Sequence, residues 1–495
     1  MTISYNQIPS TLRVPFMAVE INNQNAVQGA VIQPYRILMI GQRLPAGTVQ
    51  AEIPTPITSK EQAQTYFGRG SMLAQMAEFH FKANKLTETW AVALDDDAAG
   101  VAATGSIAFT GPATAGGTLF LYVGGRRLTV GVNTAQAATA IATAVAAAIN
   151  ANADLAVTAV AASSAVNLTA KHKGTAANGL DVRFNYNTGE AFPAGVAATV
   201  TALSGGTSNP ALADAIAALG DVQYNVISNP YTDAVSLSSL EQELADRWGP
   251  MRMLGGVSYT SAVAGFADLG TLGNSRNSPF SSIMGMPGGL SAPWEVAASY
   301  AASAAYYLNI DPARQLRTIP LPGILAPQAS DRLTLEERNL LLYDGISTFT
   351  VDADGTVRIE RAITTYKTTP TGADDESYLD VMTVHTVDYL RYDWRNYILT
   401  KYPRHKLAND GTRYGQGQAI ITPSVGKAEA IARFRKWEDM GLVENADQFK
   451  RDLIVERDAT DPNRMNWLLS PDIINNFMIG ATQIAFLLQG DTTAE

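Results

Sequence analysis

A regular alternation of short apolar runs with helical patterns, between residues 210 and 307, constrains the fold of this chain more than any other feature. The apolar runs are VQYNVIS (222–228), MRMLGGV (251–257) and FSSIMGM (280–286). The helical patterns lie at 211–219, 236–247, 261–272 and 293–307. Alternation at this spacing predicts parallel strands that are covered by helices.

Two earlier runs, YRILMIGQ (35–42) and TWAVAL (89–94), have the same buried-strand character, and helical patterns separate them. The simplest account is one α/β domain that is formed by residues 31–94 and 210–330 and is split in sequence by an insertion at 95–209. We expect the two linkers of this insertion to lie close together.

The insertion is rich in Ala, Gly and Thr and poor in charge. Its alternating segments predict strands, and one Ala-rich helix is predicted from Thr134 to about Asn150. The Gly124-Gly125 pair between two alternating runs indicates a hairpin. The insertion is therefore predicted to be a β-rich α+β domain.

The last third of the chain predicts a C-terminal α+β core domain over residues 331–470. Residues 345–366 alternate like a hairpin, with a turn at Ala353-Asp354-Gly355. Further elements are helices at 376–400 and about 424–440 and strands at 452–458, 464–470 and 473–489. The predicted fold class is α/β and α+β multidomain, with extended arms at 1–30 and 471–495.

Composition argues against several function classes. The chain has 495 residues, which is enough for about two to four domains. Its 36 basic and 46 acidic residues give a net charge of −10, without the basic stripe typical of a nucleic-acid binder. It has no cysteine, which excludes disulfides and thiolate chemistry and favours folding in the cytosol. We also expect no signal peptide and no membrane insertion.

The motifs of common enzymes are absent. Gly426-Lys427 lacks the upstream Gly and the following Ser or Thr of a phosphate-binding loop, and Gly68-Arg69-Gly70 lacks the third Gly of a dinucleotide loop. The four histidines are scattered. His385 and Asp388 are three apart on a predicted helix, which a hydrogen bond between them explains. We predict that the chain is not an enzyme, with no cofactor and no catalytic or metal-binding residue.

Two charged runs have simpler explanations than ligand binding. Asp95-Asp96-Asp97 could hold a hard cation, but a solvated linker is the commoner role of such a run. Arg126-Arg127 could contact an anionic partner, but two arginines that follow a turn are usually solvated.

Both ends of the chain predict strands that have no obvious local partner. The apolar residues of these arms are Val14, Phe16, Val19 and Ile21 near the N-terminus and Ile473, Phe477 and Ile479 near the C-terminus. A strand needs a neighbouring strand to satisfy its backbone N–H and C=O groups, and an adjacent copy of the chain can supply it. Head-to-tail repetition of this exchange predicts an open helical polymer.

One segment resembles a known family. The run LTLEERNLLLYDGISTFTVDADGTVRIERAITTY (333–366) is similar to the core of contractile tail sheath proteins, in which a helix leads into a hairpin through the pattern N-x-L-x-x-x-G-I. Here the residues of that pattern are Asn339, Leu341, Gly345 and Ile346. The whole chain resembles the sheath proteins of Mu-type bacteriophages, least firmly over 95–209.

The resemblance implies a structural subunit of the virion tail sheath, assembled in the host cytoplasm. Such subunits stack around an inner tail tube, and their arms add strands to a sheet in the C-terminal core domain of neighbours. Contraction of the sheath drives the tube through the host envelope without a nucleotide. The implied partners are further copies, the tail tube protein, and baseplate and tail terminator proteins, and the insertion is expected to face outward.

The helix predicted at 424–440 offers one hypothesis about the tube. It carries Lys427, Arg433, Arg435 and Lys436, of which Arg433 and Lys436 share a face. We expect this helix to meet an acidic tube surface, although a solvated basic face explains the same residues.

Two other function classes stay open on sequence alone. One is an α/β ligand- or nucleotide-binding enzyme, and the other is a baseplate or adhesin component, which the β-rich insertion would suit.

Overall fold

The computed structural model describes residues 33–486, so Val14, Phe16, Val19 and Ile21 lie outside the described residues. The first elements are β1 (Arg36–Gln42), β2 (Thr55–Ile57), α1 (Lys60–Phe67), α2 (Met72–Ala83) and β3 (Glu88–Leu94). Serine caps begin both helices, since Ser59 accepts from the Gln62 N–H and Ser71 from the Ala74 N–H. Strands β1 and β3 contain the two predicted apolar runs and are almost entirely buried.

The next part of the chain forms two antiparallel sheets around one helix. Its elements are β4 (Ala102–Thr110), β5 (Gly117–Val123), β6 (Arg126–Val132), α3 (Ala138–Ala151), β7 (Val157–Ala162), β8 (Ala165–Lys173), β9 (Val182–Phe184) and β10 (Ala197–Ser204). The sheet orders are β10-β4-β8-β7 and β6-β5-β9. Gly124 and Gly125 both have positive φ, as a two-residue hairpin turn between β5 and β6 requires.

The chain then completes the first sheet. The elements are α4 (Ala213–Ala218), β11 (Val226–Ser228), α5 (Ala234–Trp248), β12 (Val257–Ala262), α6 (Phe266–Asn274), β13 (Ser281–Gly285) and α7 (Pro293–Ile310). The strand order is β13-β12-β11-β1-β3-β2, and every pair is parallel except β2 with β3. Residues on both sides of the insertion therefore share one sheet, and the mixed α/β, multidomain fold class is confirmed.

The expected boundaries around β12 are wrong. The predicted strand 251–257 contributes only its last residue to β12, and the predicted helix 261–272 begins at Phe266. Met251 is 91% exposed, whereas the buried strand is VSYTSA, which is too polar to be recognised from its composition. Tertiary burial rather than hydrophobicity selects this strand.

The remaining elements form the C-terminal part. They are α8 (Leu335–Tyr343), β14 (Thr348–Val351), β15 (Val357–Arg361), α9 (Val381–Lys401), β16 (Lys406–Leu407), β17 (Ile420–Ile421), α10 (Pro423–Asp439), β18 (Val443–Glu444), α11 (Ala446–Asp452), β19 (Ile454–Arg457), β20 (Met465–Leu468) and β21 (Asp472–Ile473). The main core includes Val381 and Val384, but Leu390 belongs to a second core around the stacked rings of Phe434 and Phe449. Helix α9 therefore joins the two cores.

Helix α9 packs against the amino-terminal ends of the parallel strands. Asp388 accepts hydrogen bonds from Gln33 (3.3 Å), Gln223 (2.9 Å) and Arg391 (2.6 Å). The predicted bond between His385 and Asp388 is wrong, because His385 Nε2 lies 3.0 Å from the Tyr259 hydroxyl. Burial lowers the pKa of His385 to about 3, so its ring is neutral at this contact.

Gly255 makes this close approach of α9 possible. A Cβ at Gly255 would lie 2.1 Å from Cγ of Asp388. We expect Gly255→Ala to displace Asp388 from its hydrogen bonds and to lower the free energy of unfolding by about 1–3 kcal/mol. Urea unfolding measures this loss. Gly131→Ala is the matched control, since nothing lies within 4 Å of its added Cβ. Equal stability of the two variants would contradict this account of α9.

Candidate interaction surfaces

The carboxyl ends of the parallel strands are where open α/β sheets usually bind ligands. In this chain side chains of the protein itself fill that edge. Gln42, at the end of β1, donates to Asp96 (2.7 Å) and to the Lys173 carbonyl (2.8 Å), and His172 Nδ1 lies 3.0 Å from Asp96. Burial opposes ionisation of Asp96, but the hydrogen bond with His172 prevails and lowers its pKa. The β8 end of the insertion therefore occupies the usual ligand crevice.

The acidic run after β3 is used for structural contacts. Asp95 pairs with Arg43 at 2.7 Å, and Asp96 binds His172 and the Lys173 N–H. Within residues 33–486, no three His, Cys, Asp or Glu side chains are grouped so that they could hold a metal ion. In the same part of the chain, no helix combines the length and the apolarity that crossing a bilayer requires.

A cavity of about 310 Å³ lies between α8 and β14. Its lining includes Arg332, Arg338, Leu341 and Phe349. Both arginines are committed elsewhere, because Arg338 binds Glu360 at 2.9 Å and Arg332 donates to the Pro327 carbonyl at 3.0 Å. The cavity therefore presents no convergent acid, base and nucleophile.

The two arginines after the Gly124-Gly125 turn behave differently. Arg126 lies 2.8 Å from both Glu78 on α2 and Glu295 on α7, and it is mostly buried. The expectation that it is solvated is wrong, because the hairpin inserts it between two helices of the α/β domain. Arg127 pairs with Glu190 of the insertion and remains 48% exposed. Arg126 therefore fastens the insertion to the α/β domain.

Helix α10 is bound to α9 by a buried ionic contact. Arg433 pairs with Asp393, which also accepts a 2.6 Å hydrogen bond from Trp437. The side chain of Arg433 is only 19% exposed, which corrects the expectation that it shares a free basic face with Lys436. Burial opposes ionisation of Arg433, yet the hydrogen bonds with Asp393 raise its pKa. The exposed basic residues of α10 are Lys427, Arg435 and Lys436.

The C-terminal arm departs from the predicted long strand. Asp472–Ile473 pairs antiparallel with Val443–Glu444 in the same chain. Residues 474–486 form no helix or strand and pair with no described strand. Ile473 is thus held within its own subunit, while Phe477 and Ile479 are 78% and 84% exposed.

The root of this arm is anchored. Gln315 donates to the Phe477 carbonyl at 2.9 Å, and Arg317 donates to the Met478 carbonyl at 3.2 Å. The Met478 side chain packs against the main core, whereas its neighbours Phe477 and Ile479 point outward. This alternation is that of an extended strand with one face on the protein.

The β19–β20 hairpin presents sheet edges near the arm. It is a two-stranded sheet, and no described strand lies beside either edge. Ile454 and Leu468 are paired across it and are 52% and 55% exposed. On the opposite face, Trp467 and Met465 approach α10 at Gly426, where an added Cβ would lie 3.1–3.2 Å away. The hairpin is therefore fixed on one face and open on the other.

Comparison with protein families finds three matches. Residues 98–208 match the "Phage tail sheath protein beta-sandwich domain", residues 205–365 the "Phage tail sheath protein central domain", and residues 373–486 the "Phage tail sheath C-terminal domain". The chain is 41% identical over 488 residues to the "Mu-like prophage FluMu tail sheath protein" of Haemophilus influenzae. That similarity covers 99% of this chain and 100% of the relative.

Solved structures show weaker likenesses. The sheath tail protein of Desulfitobacterium hafniense is 13% identical with a TM-score of 0.47, and covers 94% of this chain and 100% of its own. The helical sheath of the anti-feeding prophage in its contracted state is 11% identical with a TM-score of 0.49, and covers 97% of this chain and 100% of its own.

The Arg126 contact yields a prediction about stability. Arg126→Leu leaves Glu78 and Glu295 without their shared partner, and we expect a loss of about 3 kcal/mol near pH 8. Burial raises the pKa of Glu295 to about 7 although Arg126 opposes the shift. The folded state therefore holds the proton more tightly than the unfolded state, and the contribution of Glu295 to stability falls as the pH rises from about 4.5 to 7.

The loss in Arg126→Leu should accordingly be smaller at pH 5 than at pH 8, as measured by denaturant unfolding. Arg127→Leu is the matched control. The Arg127 side chain is 48% exposed, and its partner Glu190 keeps hydrogen bonds from Tyr122 and Asn187, so we expect a loss of about 1 kcal/mol or less. If Arg127→Leu were as damaging as Arg126→Leu at pH 8, the anchoring role of Arg126 would be wrong.

Proposed function

The chain belongs to the phage tail sheath protein family, and we propose that it polymerises around a tail tube by strand exchange between neighbouring copies. Contraction of this polymer drives the tube through the host envelope. The energy is stored in the packing of the subunits, so the process needs no nucleotide and no cofactor. The proposal makes the chain a structural component of the virion rather than an enzyme.

The C-terminal arm is the observation that carries this proposal. Its exposed apolar side chains are Phe477, Ile479, Ile484 and Phe486, which are between 76% and 84% exposed. Burial of such a side chain in a neighbour stabilises the contact by roughly 1.5–3 kcal/mol. A strand that joins a neighbour's sheet also satisfies its backbone groups.

The β19–β20 hairpin is the acceptor that the geometry favours. Its edges are free in the described chain, and the exposed Ile454 and Leu468 lie where side chains of an added strand could cover them. Addition of a strand beside a two-stranded sheet strengthens it, since an isolated hairpin is marginally stable. The N-terminal residues Val14, Phe16, Val19 and Ile21 supply a second donor strand in this proposal.

We propose that the tube lies against α10. The support is that Lys427 and Arg435 are exposed basic residues on neighbouring parts of the helix surface, which suits an acidic partner. Lys436 is also exposed but lies farther around the helix and pairs with Asp439. Arg433 is removed from this set because it is paired with Asp393.

The insertion at 95–209 faces outward in this proposal. The exposed face of its β10-β4-β8-β7 sheet is formed by small neutral side chains such as Thr104, Thr158, Thr169 and Thr201. A neutral face of this kind suits contact with solvent rather than tight packing. The further partners in this proposal are the baseplate and the tail terminator proteins, and assembly takes place in the host cytoplasm.

An α/β enzyme is the less favoured alternative. Gln42, Asp96 and His172 fill the edge of the sheet at which such an enzyme would bind its ligand. No observation on the described residues favours an adhesin or baseplate role over a sheath.

Removal of the C-terminal arm tests the strand exchange. We expect the full-length chain to form long hollow tubes in electron microscopy and a chain that ends at Asn476 to remain as discrete particles. The double variant Phe477→Ser, Ile479→Ser should also form fewer tubes. It should still fold, because both side chains are exposed in the subunit. Leu86→Ser, a change at an 81% exposed leucine outside the arm, should leave the tubes intact. Tubes from the truncated chain would sink the proposal.

The tube contact has a separate test. Lys427→Glu with Arg435→Glu should reduce co-sedimentation with purified tail tube while thermal unfolding stays unchanged, since both residues are exposed. Arg433→Glu should instead lower the unfolding temperature whether or not the tube is present. Lys85→Glu, an exposed reversal in the α/β domain, serves as the control. Co-sedimentation of the double variant at the wild-type level would remove α10 from the tube contact.

A further inference from the structure

Opposite charges flank the two ends of α9. The acidic loop, residues 370–376, precedes the helix and contains three acidic residues and no basic one: Asp374, Asp375 and Glu376. The basic loop, residues 403–419, follows the helix and contains three Lys or Arg residues against a single acid: Arg404, Lys406 and Arg413 against Asp410. The two loops therefore carry net charges of opposite sign.

The helix dipole explains only part of this arrangement. An acidic residue at the start of a helix and a basic residue at its end are stabilising, but the effect is confined to the first and last turns. Asp380 is the N-cap of α9, and Lys401 lies in its last turn, where it pairs with Glu429. Asp374, Arg404 and Arg413 lie outside those turns, so the helix dipole does not account for them.

The basic loop is built to present its charges. Its base is closed where the Lys406 N–H donates to the Ala419 carbonyl at 2.9 Å. Asp410, its one acid, is committed to capping α10 through Ser424. Arg404 and Arg413 are exposed and make no hydrogen bond or ion pair with any residue in 33–486. Tyr414, which follows Arg413, is 47% exposed.

The acidic loop also presents exposed charges. The Asp374 and Glu376 carboxylates are exposed and have no ion-pair partner within the described range. Asp375 accepts a 2.6 Å hydrogen bond from the Tyr366 hydroxyl, which lowers its pKa and keeps it ionised. The two arginines of the preceding hairpin are already paired, Arg361 with both carboxylate oxygens of Asp380 and Arg358 with Asp352.

We propose that the basic loop of one copy docks on the acidic loop of the next copy. This inference rests on the proposed function, because it requires that the chain polymerises. The 21 residues of α9 span roughly 32 Å, so the two loops lie far apart on one subunit. A contact between unlike surfaces at opposite ends is heterologous and adds subunits without closing a dimer. The charges set the partner and its orientation, in addition to the strands exchanged by the arms.

Charge reversal and charge exchange test this contact on the full-length chain. The first variant, Arg404→Glu with Arg413→Glu, makes both loops acidic. The second, Asp374→Lys with Glu376→Lys, makes both loops basic. We expect each to raise the protein concentration needed for polymerisation about tenfold or more at low salt, because like charges then face each other. The fourfold variant restores opposite charges and should return to within about threefold of wild type.

Sedimentation of the polymer measures these concentrations, and Arg404→Lys with Arg413→Lys is the charge-preserving control. Thermal unfolding of all variants should match wild type, since the changed residues are exposed. If the reversed variants polymerise like wild type, or if the fourfold variant is no better than its parents, the proposed docking is overturned and the strand exchange is untouched. If wild type itself forms no polymer, the proposed function fails and this inference fails with it.

Discussion

A strand that lies beside no other strand leaves its backbone N–H and C=O groups unsatisfied, and an apolar side chain in water gains nothing until it is covered. Residues 474–486 meet both conditions. Gln315 and Arg317 hold the root of the arm by its carbonyl oxygens, and Met478 reaches the core, but beyond that point the described residues offer no partner. In the described structure this segment pairs with no sheet. In the proposed polymer, another copy with free sheet edges, such as those of β19–β20, completes it.

Ion pairs and shared hydrophobic cores join the parts of the chain that precede the arm. Arg126 binds glutamates on α2 and α7 and so couples the insertion to the α/β domain, and α9 takes part in both hydrophobic cores. Asp393 joins α9 to α10 through Arg433 and Trp437. Since packed interiors resist deformation, a rearrangement of a polymer of such subunits is expected to occur at the contacts between copies. In the proposed polymer, linked arms would let those contacts change without separation of the subunits.

Sequence patterns located the elements with strong periodicity, such as β1, α7 and α10, because apolar repeats are local signals. They misplaced β12. Its VSYTSA run is mostly polar, so its burial comes from the elements packed around it and is not visible in the sequence. They also predicted a solvated Arg126 and an exposed Arg433 on a basic face that meets the tube. Both arginines face carboxylates more than 39 positions away in sequence, Glu78, Glu295 and Asp393, and no local pattern reports such a pairing. The long strand predicted over 473–489 has apolar residues that suit a strand, but beyond Ile473 it pairs with no strand in the described residues.

Hydrogen exchange of the C-terminal arm tests the strand exchange most directly. Amide protons of residues 479–486 should exchange rapidly in the unassembled chain, where the described residues provide no acceptor for them. In the assembled polymer they should become protected, with alternate amides slowed most, because only every second N–H of an added strand points at the acceptor edge. Exchange at the same rate in both states would show that no neighbour pairs with the arm, and the account would be wrong.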